Sequence, residues 1–212
     1  MNRRSRTKFS LNALLLAIVI PLIAAVLISN IFSGLKQDKI MRNDEEVYYN
    51  MLYNISTTLI NADRDFYQAQ LAATQYSSYS EYLSEASMKD YLNDVESNSE
   101  QVVEGLNEAA NIAQQSEYLW GELTSDSGKT FSQLYDEFMS YYNEWRTDYN
   151  VENDTGNFVK WISDFSTARS LLAEMNAIVE KWAVEESSAN RSSVQTSIFI
   201  SCTVLLVITV IL

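Results

Sequence analysis

Residues 48–76 read YYNMLYNISTTLINADRDFYQAQLAATQY. Apolar or small side chains return at Tyr48, Leu52, Ile55, Leu59, Ala62, Phe66, Ala69, Ala73 and Tyr76, in alternating steps of four and three, with no proline or glycine between them. That spacing holds one face of an α-helix apolar for about four heptads, whereas a strand requires alternation at every second residue. The stretch is therefore a long amphipathic helix that needs partners for its apolar stripe.

The same period recurs downstream. It runs through Met88, Leu92, Val95, Ser99, Val102, Leu106, Ala109 and Ala113, then through Phe131, Leu134, Phe138, Tyr141 and Trp145. A fourth run holds Trp161, Phe165, Ala168, Leu172, Met175, Val179 and Trp182. Turn chemistry separates them: SSYSEYLSEAS with a capping box from Ser87 to Asp90, GELTSDSGK around Gly121 and Gly128, and NVENDTGN before Phe158. Short connections between helices of this length predict an antiparallel four-helix bundle.

Apolar runs flank the helices on both sides. FSLNALLLAIVIPLIAAVLISNIF, residues 9–32, carries no charge and contains Pro21, the only proline. It is long enough to cross a hydrocarbon core of about 30 Å as an uncleaved anchor. SIFISCTVLLVITVIL, residues 197–212, is apolar to its last residue and about four short of the roughly 20 a span needs. The expected layout is a basic N-terminus (1–8), a first span (9–35), an outer domain (36–196) and an incomplete second span (197–212). The chain thus reads as a fragment or a truncated gene. The fold expectation is all-α, with the first and last helices long and continuous with the spans.

Charge supports that layout. All 28 acids lie between Asp38 and Glu186, and the 11 bases of residues 36–196 leave that segment at −17, while Arg3, Arg4, Arg6 and Lys8 crowd the start. Basic residues before a first span place it with its N-terminus in the cytoplasm and residues 36–196 outside the cell membrane. An acidic domain of this kind repels nucleic acid. Cys202, the only cysteine, falls in the terminal apolar run, so packing alone holds the outer domain. The chain has no histidine, no cysteine pair and no Gly-rich phosphate loop, so no enzyme, cofactor or metal site is expected. Glu96, Glu100, Glu104 and Glu108 read as a solvated face.

Basic N-terminus, span, about 160 helical residues and a second span entered directly from the last helix: this resembles the N-terminal sensory half of a bacterial methyl-accepting chemotaxis protein with a four-helix-bundle ligand-binding domain. NADRDFYQAQLA, residues 61–72, looks like a first-helix segment common in such receptors of Gram-positive bacteria. The resemblance implies signal transduction by a homodimer joined through its first helix. It also implies a small extracellular ligand and a piston-like shift passed to a cytoplasmic kinase and adaptor through parts missing here. Sensor histidine kinases and diguanylate cyclases carry the same sensory half, and a dimeric membrane-anchored interaction bundle without a small-molecule ligand is a further alternative.

Candidate site residues follow from the outer face of the first helix. Asn50, Tyr53, Asn54, Thr57, Ile60, Asn61, Arg64, Tyr67, Gln68, Leu71 and Gln75 include no lysine and no acid, the composition of a covered face rather than a solvated one. At about 1.5 Å per residue, Arg64 stands about 42 Å above Lys36, level with Ser170 on the last helix. Small outer residues there, Ser163, Ser166, Thr167, Ala173 and Ala177, leave room for a neighbour or a ligand. In aspartate-sensing members of the family, arginines of the first helix hold the ligand carboxylate across the dimer boundary. The resemblance then implies a site of Arg64, Tyr67, Gln68, Asn61, Thr167 and Ser170. An arginine suits a carboxylate, and Asp63 or Asp65 suits an ammonium, which points to an amino acid or organic acid. Ligand contact, interface packing and a solvated charge paired with Asp63 or Asp65 all remain open for Arg64. A second candidate lies inside the bundle, where Trp145, Trp161, Phe165 and Tyr142 meet with Arg169 at the edge. Such aromatic stripes are more often core.

Overall fold

In a computed structural model, residues 11–211 are described; the basic N-terminus and Leu212 lie outside the described residues. Nearly all of that span is helical and close packed. The order is α1 (Leu11–Glu45), a π-helical stretch (Glu46–Tyr53), α2 (Asn54–Tyr79), a 3-10 turn (Ser80–Tyr82), α3 (Glu85–Ala113), a second π-helical stretch (Tyr118–Glu122), α4 (Phe131–Asp148), the two-residue strands β1 (Tyr149–Asn150) and β2 (Thr155–Gly156), and α5 (Phe158–Ile211). The chain divides into two compact units, one being Glu46–Glu185 and the other the flanking segments up to Glu45 and from Glu186.

Local chemistry sets the helix ends. Ser84 caps α3, its side chain accepting from the Ser87 amide, so the helix begins at Glu85 and the expected capping box at Ser87 and Asp90 lies within the first turns. The earlier serine wins because its extended backbone aims the hydroxyl at the free amides of the first turn. Thr130 and Gln133 form a full capping box on α4. NVENDTGN, read as a plain turn, closes a hairpin in which Tyr149 pairs with Gly156 and Asn150 with Thr155. Glycine is required at 156: φ is +119°, and a Cβ there would sit 2.2 Å from the Asp148 carbonyl oxygen.

In the Glu46–Glu185 unit, the heptad residues from Leu52 at the end of the π-helical stretch through Tyr76 of α2 are all buried, as are Val102, Leu106, Ala109 and Ala113 of α3. Phe131, Leu134, Phe138 and Trp145 of α4 join them, with Trp161, Ala168, Leu172, Met175, Val179 and Trp182 of α5. Full burial of each large apolar side chain contributes about 1.5–3 kcal/mol. Phe66 is the hub, its ring 4.8 Å from Phe165, 4.9 Å from Trp145, 5.7 Å from Tyr142 and 5.9 Å from Phe138 between centroids. Leu119 and Leu123 fold into the core from the connection after α3, where no helical period announces them.

Side-chain bonds fix how neighbouring helices run. Tyr135 reaches Asn107, Tyr142 reaches the Ser99 carbonyl and Arg146 reaches Glu96, so numbers fall along α3 as they rise along α4. Arg169 meets Asp63, and Asn176 meets Ser56, which sets α5 opposite in direction to α2.

In the flanking unit, α1 and α5 are each long and apolar enough to cross a membrane. Leu22, Ala25, Ser29, Ser33, Lys36 and Ile40 of α1 are half-buried and form a helical seam, and the Ser33 and Ser201 hydroxyls lie 2.8 Å apart.

Candidate functional site

Two seams of the Glu46–Glu185 unit carry concentrated polar chemistry. On the α2–α5 seam, Arg169 donates from Nε to Asp63 Oδ1 at 2.6 Å and from Nη2 to Asp63 Oδ2 at 2.7 Å, a bidentate fork. Its guanidinium carbon stands 5.3 Å from the Tyr67 ring centre and 5.6 Å from that of Phe165. The bond to Asp63 raises the already high pKa of Arg169. Beside the pair lies a groove of about 350 Å³ floored by Leu59 and Leu172 and walled by Ile60, Asp63, Arg169, Ser170, Ala173 and Asn176. Asn176 is itself held, accepting from Ser56 at 2.7 Å and donating to Glu180 at 2.9 Å. The groove thus offers a fixed cation, a fixed anion, a hydroxyl and an amide over an apolar floor.

The candidate residues distribute unevenly over this geometry. Arg169 and Ser170 line the groove, and Tyr67 supports the guanidinium from below. Arg64 does not line it: Nε and Nη2 both donate to Asp65 Oδ1, at 2.9 and 2.8 Å, and the arginine folds over that buried carboxylate with its own side chain 58% exposed. Thr167 donates to the Ser163 carbonyl and Ser170 to the Thr167 carbonyl, each within α5. Asn61 is exposed, and Gln68 borders a shallow depression of about 520 Å³ between α2 and α3. Tyr53, at the end of the π-helical stretch, and Ile60, Tyr67 and Leu71 of α2 form an exposed stripe. Trp145, Trp161 and Phe165 pack in the aromatic core; the two tryptophans stack at 6.1 Å, and Trp145 Nε1 donates to Gln70 Oε1 at 2.7 Å. Sequence reasoning missed Asn176, whose position beside the fourth stripe carries no distinguishing signal.

The second polar seam joins α4 to α5. Lys160 Nζ donates to Glu144 at 2.5 Å, Asp148 at 2.6 Å and Asp164 at 3.1 Å. Three carboxylates within 4.8 Å of one another have the donor set of a cation site, and the lysine ammonium occupies it. The lysine bond holds Asp148 below the usual carboxylate range, whereas burial pushes Asp164 above it; the three acids in turn raise Lys160.

Comparison of the chain with models of known protein families, with curated proteins and with solved structures finds no match.

Proposed function

We propose that the chain is the sensory half of a bacterial transmembrane chemoreceptor. In this reading α1 and the C-terminal part of α5 cross the cell membrane, and residues 36–196 form an extracytoplasmic antiparallel four-helix bundle. The observation that carries it is α5: one unbroken helix from Phe158 to Ile211 holds core residues from Trp161 to Trp182 and then an apolar run free of charge. Such a helix has no soluble use for its last turns, because an uncovered apolar surface of that size is unfavourable in water. The stripe of Tyr53, Ile60, Tyr67 and Leu71, lacking lysine and acid, supports a homodimer through α2.

The ligand-binding groove of this reading is the α2–α5 seam. A small zwitterion would set its carboxylate on Arg169 and its ammonium on Asp63, exchanging the internal ion pair for two external ones, with Ser170 and Asn176 completing the polar contacts. Because the occupied groove parts the two helices leading to the membrane segments, its filling biases their relative displacement.

The test uses the full chain in detergent. A thermal-shift screen of amino acids and organic acids should give a specific hit, since ligand at 100 times Kd stabilises by about 2.7 kcal/mol. That hit should vanish in Arg169→Ala and persist in Arg64→Ala. Silence across the screen, or loss in Arg64→Ala alone, overturns the placement. Labelling by a membrane-impermeant maleimide in intact cells, with Cys202→Ala as background, should reach Glu104→Cys and not Arg6→Cys; the reverse pattern overturns the topology.

A further inference from the structure

A concavity of about 310 Å³ lies at the opposite seam, between the N-terminal half of α3, the end of α4 and the β1–β2 hairpin. Its presence has a structural cause. Leu92 and Val95 continue the heptad that Val102 and Leu106 carry in the core, but α4 runs against α3 only as far as Arg146 beside Glu96 and ends at Asp148. Leu92 and Val95 are left half-buried, with the hairpin arching over the vacancy that a longer α4 would fill. The volume is that of a small-ligand pocket, which begins at about 300 Å³.

The lining selects a ligand. Leu92, Val95, Ala73, Trp145, Trp161 and Tyr149 make an apolar and aromatic floor. At the rim, Arg146 is already engaged by Glu96 at 2.7 Å, while Glu152 of the hairpin is exposed and makes no ion pair among the described residues. The rim therefore carries one uncompensated negative charge in a segment already at −17, a potential that attracts cations and repels anions. We infer that this pocket binds a small organic amine, its apolar body on the Trp145, Trp161, Leu92 and Val95 floor and its ammonium on the Glu152 carboxylate. The site is separate from the α2–α5 groove and shares no lining residue with it.

The experiment titrates the full chain in detergent with 2-phenylethylamine and, separately, with 3-phenylpropionate, its carboxylate counterpart. Intrinsic fluorescence is the readout, because two of the four tryptophans line the pocket. The amine should give a saturable change, and the acid should bind at least about tenfold more weakly by charge alone. Val95→Phe, which fills the pocket, should abolish the amine signal; Glu152→Gln, on an exposed hairpin where folding is not at stake, should weaken it by about two- to fivefold. Arg169→Ala should leave it unchanged, which separates this site from the groove proposed above. Equal binding of amine and acid, no saturable response to either, or an amine response indifferent to both Val95→Phe and Glu152→Gln overturns the inference.

Discussion

The two halves of α3 carry the same heptad and meet different fates. Val102, Leu106, Ala109 and Ala113 are buried, whereas Met88, Leu92 and Val95 are half-exposed. Nothing in the helix itself separates them. α3 has 29 residues and α4 has 18, so at about 1.5 Å per residue the partner falls some 16 Å short. An apolar stripe is buried only for the length over which another element runs beside it. The uncovered length becomes a pocket roofed by a hairpin.

That contrast is open to direct attack by mutation, beginning with the largest expected effect. Leu106→Ala should cost about 2–5 kcal/mol in denaturant unfolding, while Leu92→Ala, whose site already borders open space, should cost about 1 kcal/mol or less. Similar losses at the two positions would mean that the halves are covered alike. Trp145 stands at the boundary. Trp145→Phe keeps an aromatic ring but strips Gln70, itself buried, of its donor, and the orphaned carbonyl should cost about 1–3 kcal/mol; restoring stability with Gln70→Leu in the same background would confirm the cause.

A pH series sharpens the comparison at the end of α4. Lys160 ties Glu144 and Asp148 of the last turns to Asp164, so Lys160→Met should lower the melting temperature at pH 7 and leave three mutually repelling carboxylates. Like charges held together favour protonation, so the deficit against wild type should be largest at neutral pH and shrink toward about pH 4, where free carboxyls protonate. A deficit independent of pH would rule out charge as the origin. In the wild type the two aspartates oppose each other, because the lowered Asp148 stabilises above the normal carboxylate range and the raised Asp164 stabilises below it. The smallest effect is expected at the α2–α5 seam: Arg169→Met should cost about 1 kcal/mol or less, as its side chain is 37% exposed and the ion pair is solvent-screened. A larger loss, measured by the same unfolding curves, would make the Asp63 pair a structural clasp rather than an exchangeable one.

Helices, their apolar stripes and the two membrane-length segments were legible in the sequence because each depends on residues within a few turns of one another. Leu59, Phe66, Leu106, Phe138 and Met175 are buried for reasons their own periodicity states. The candidate site was less legible. Arg64 stood out by composition, yet it lies over Asp65, its neighbour in the chain; Arg169, on the edge of an aromatic stripe, makes the inter-helix fork. Which aspartate faces α5 depends on the rotation of α2 within its packing, and Asp63 and Asp65 flank the same stripe on opposite sides.

What the sequence determined alone was an acidic set of amphipathic helices set between apolar ones, since helical period and hydropathy are local properties. The tertiary structure decided which heptad positions find cover, which carboxylate meets which cation and where concavities open. Those outcomes turn on the relative lengths and rotations of helices distant in sequence, which no local pattern records.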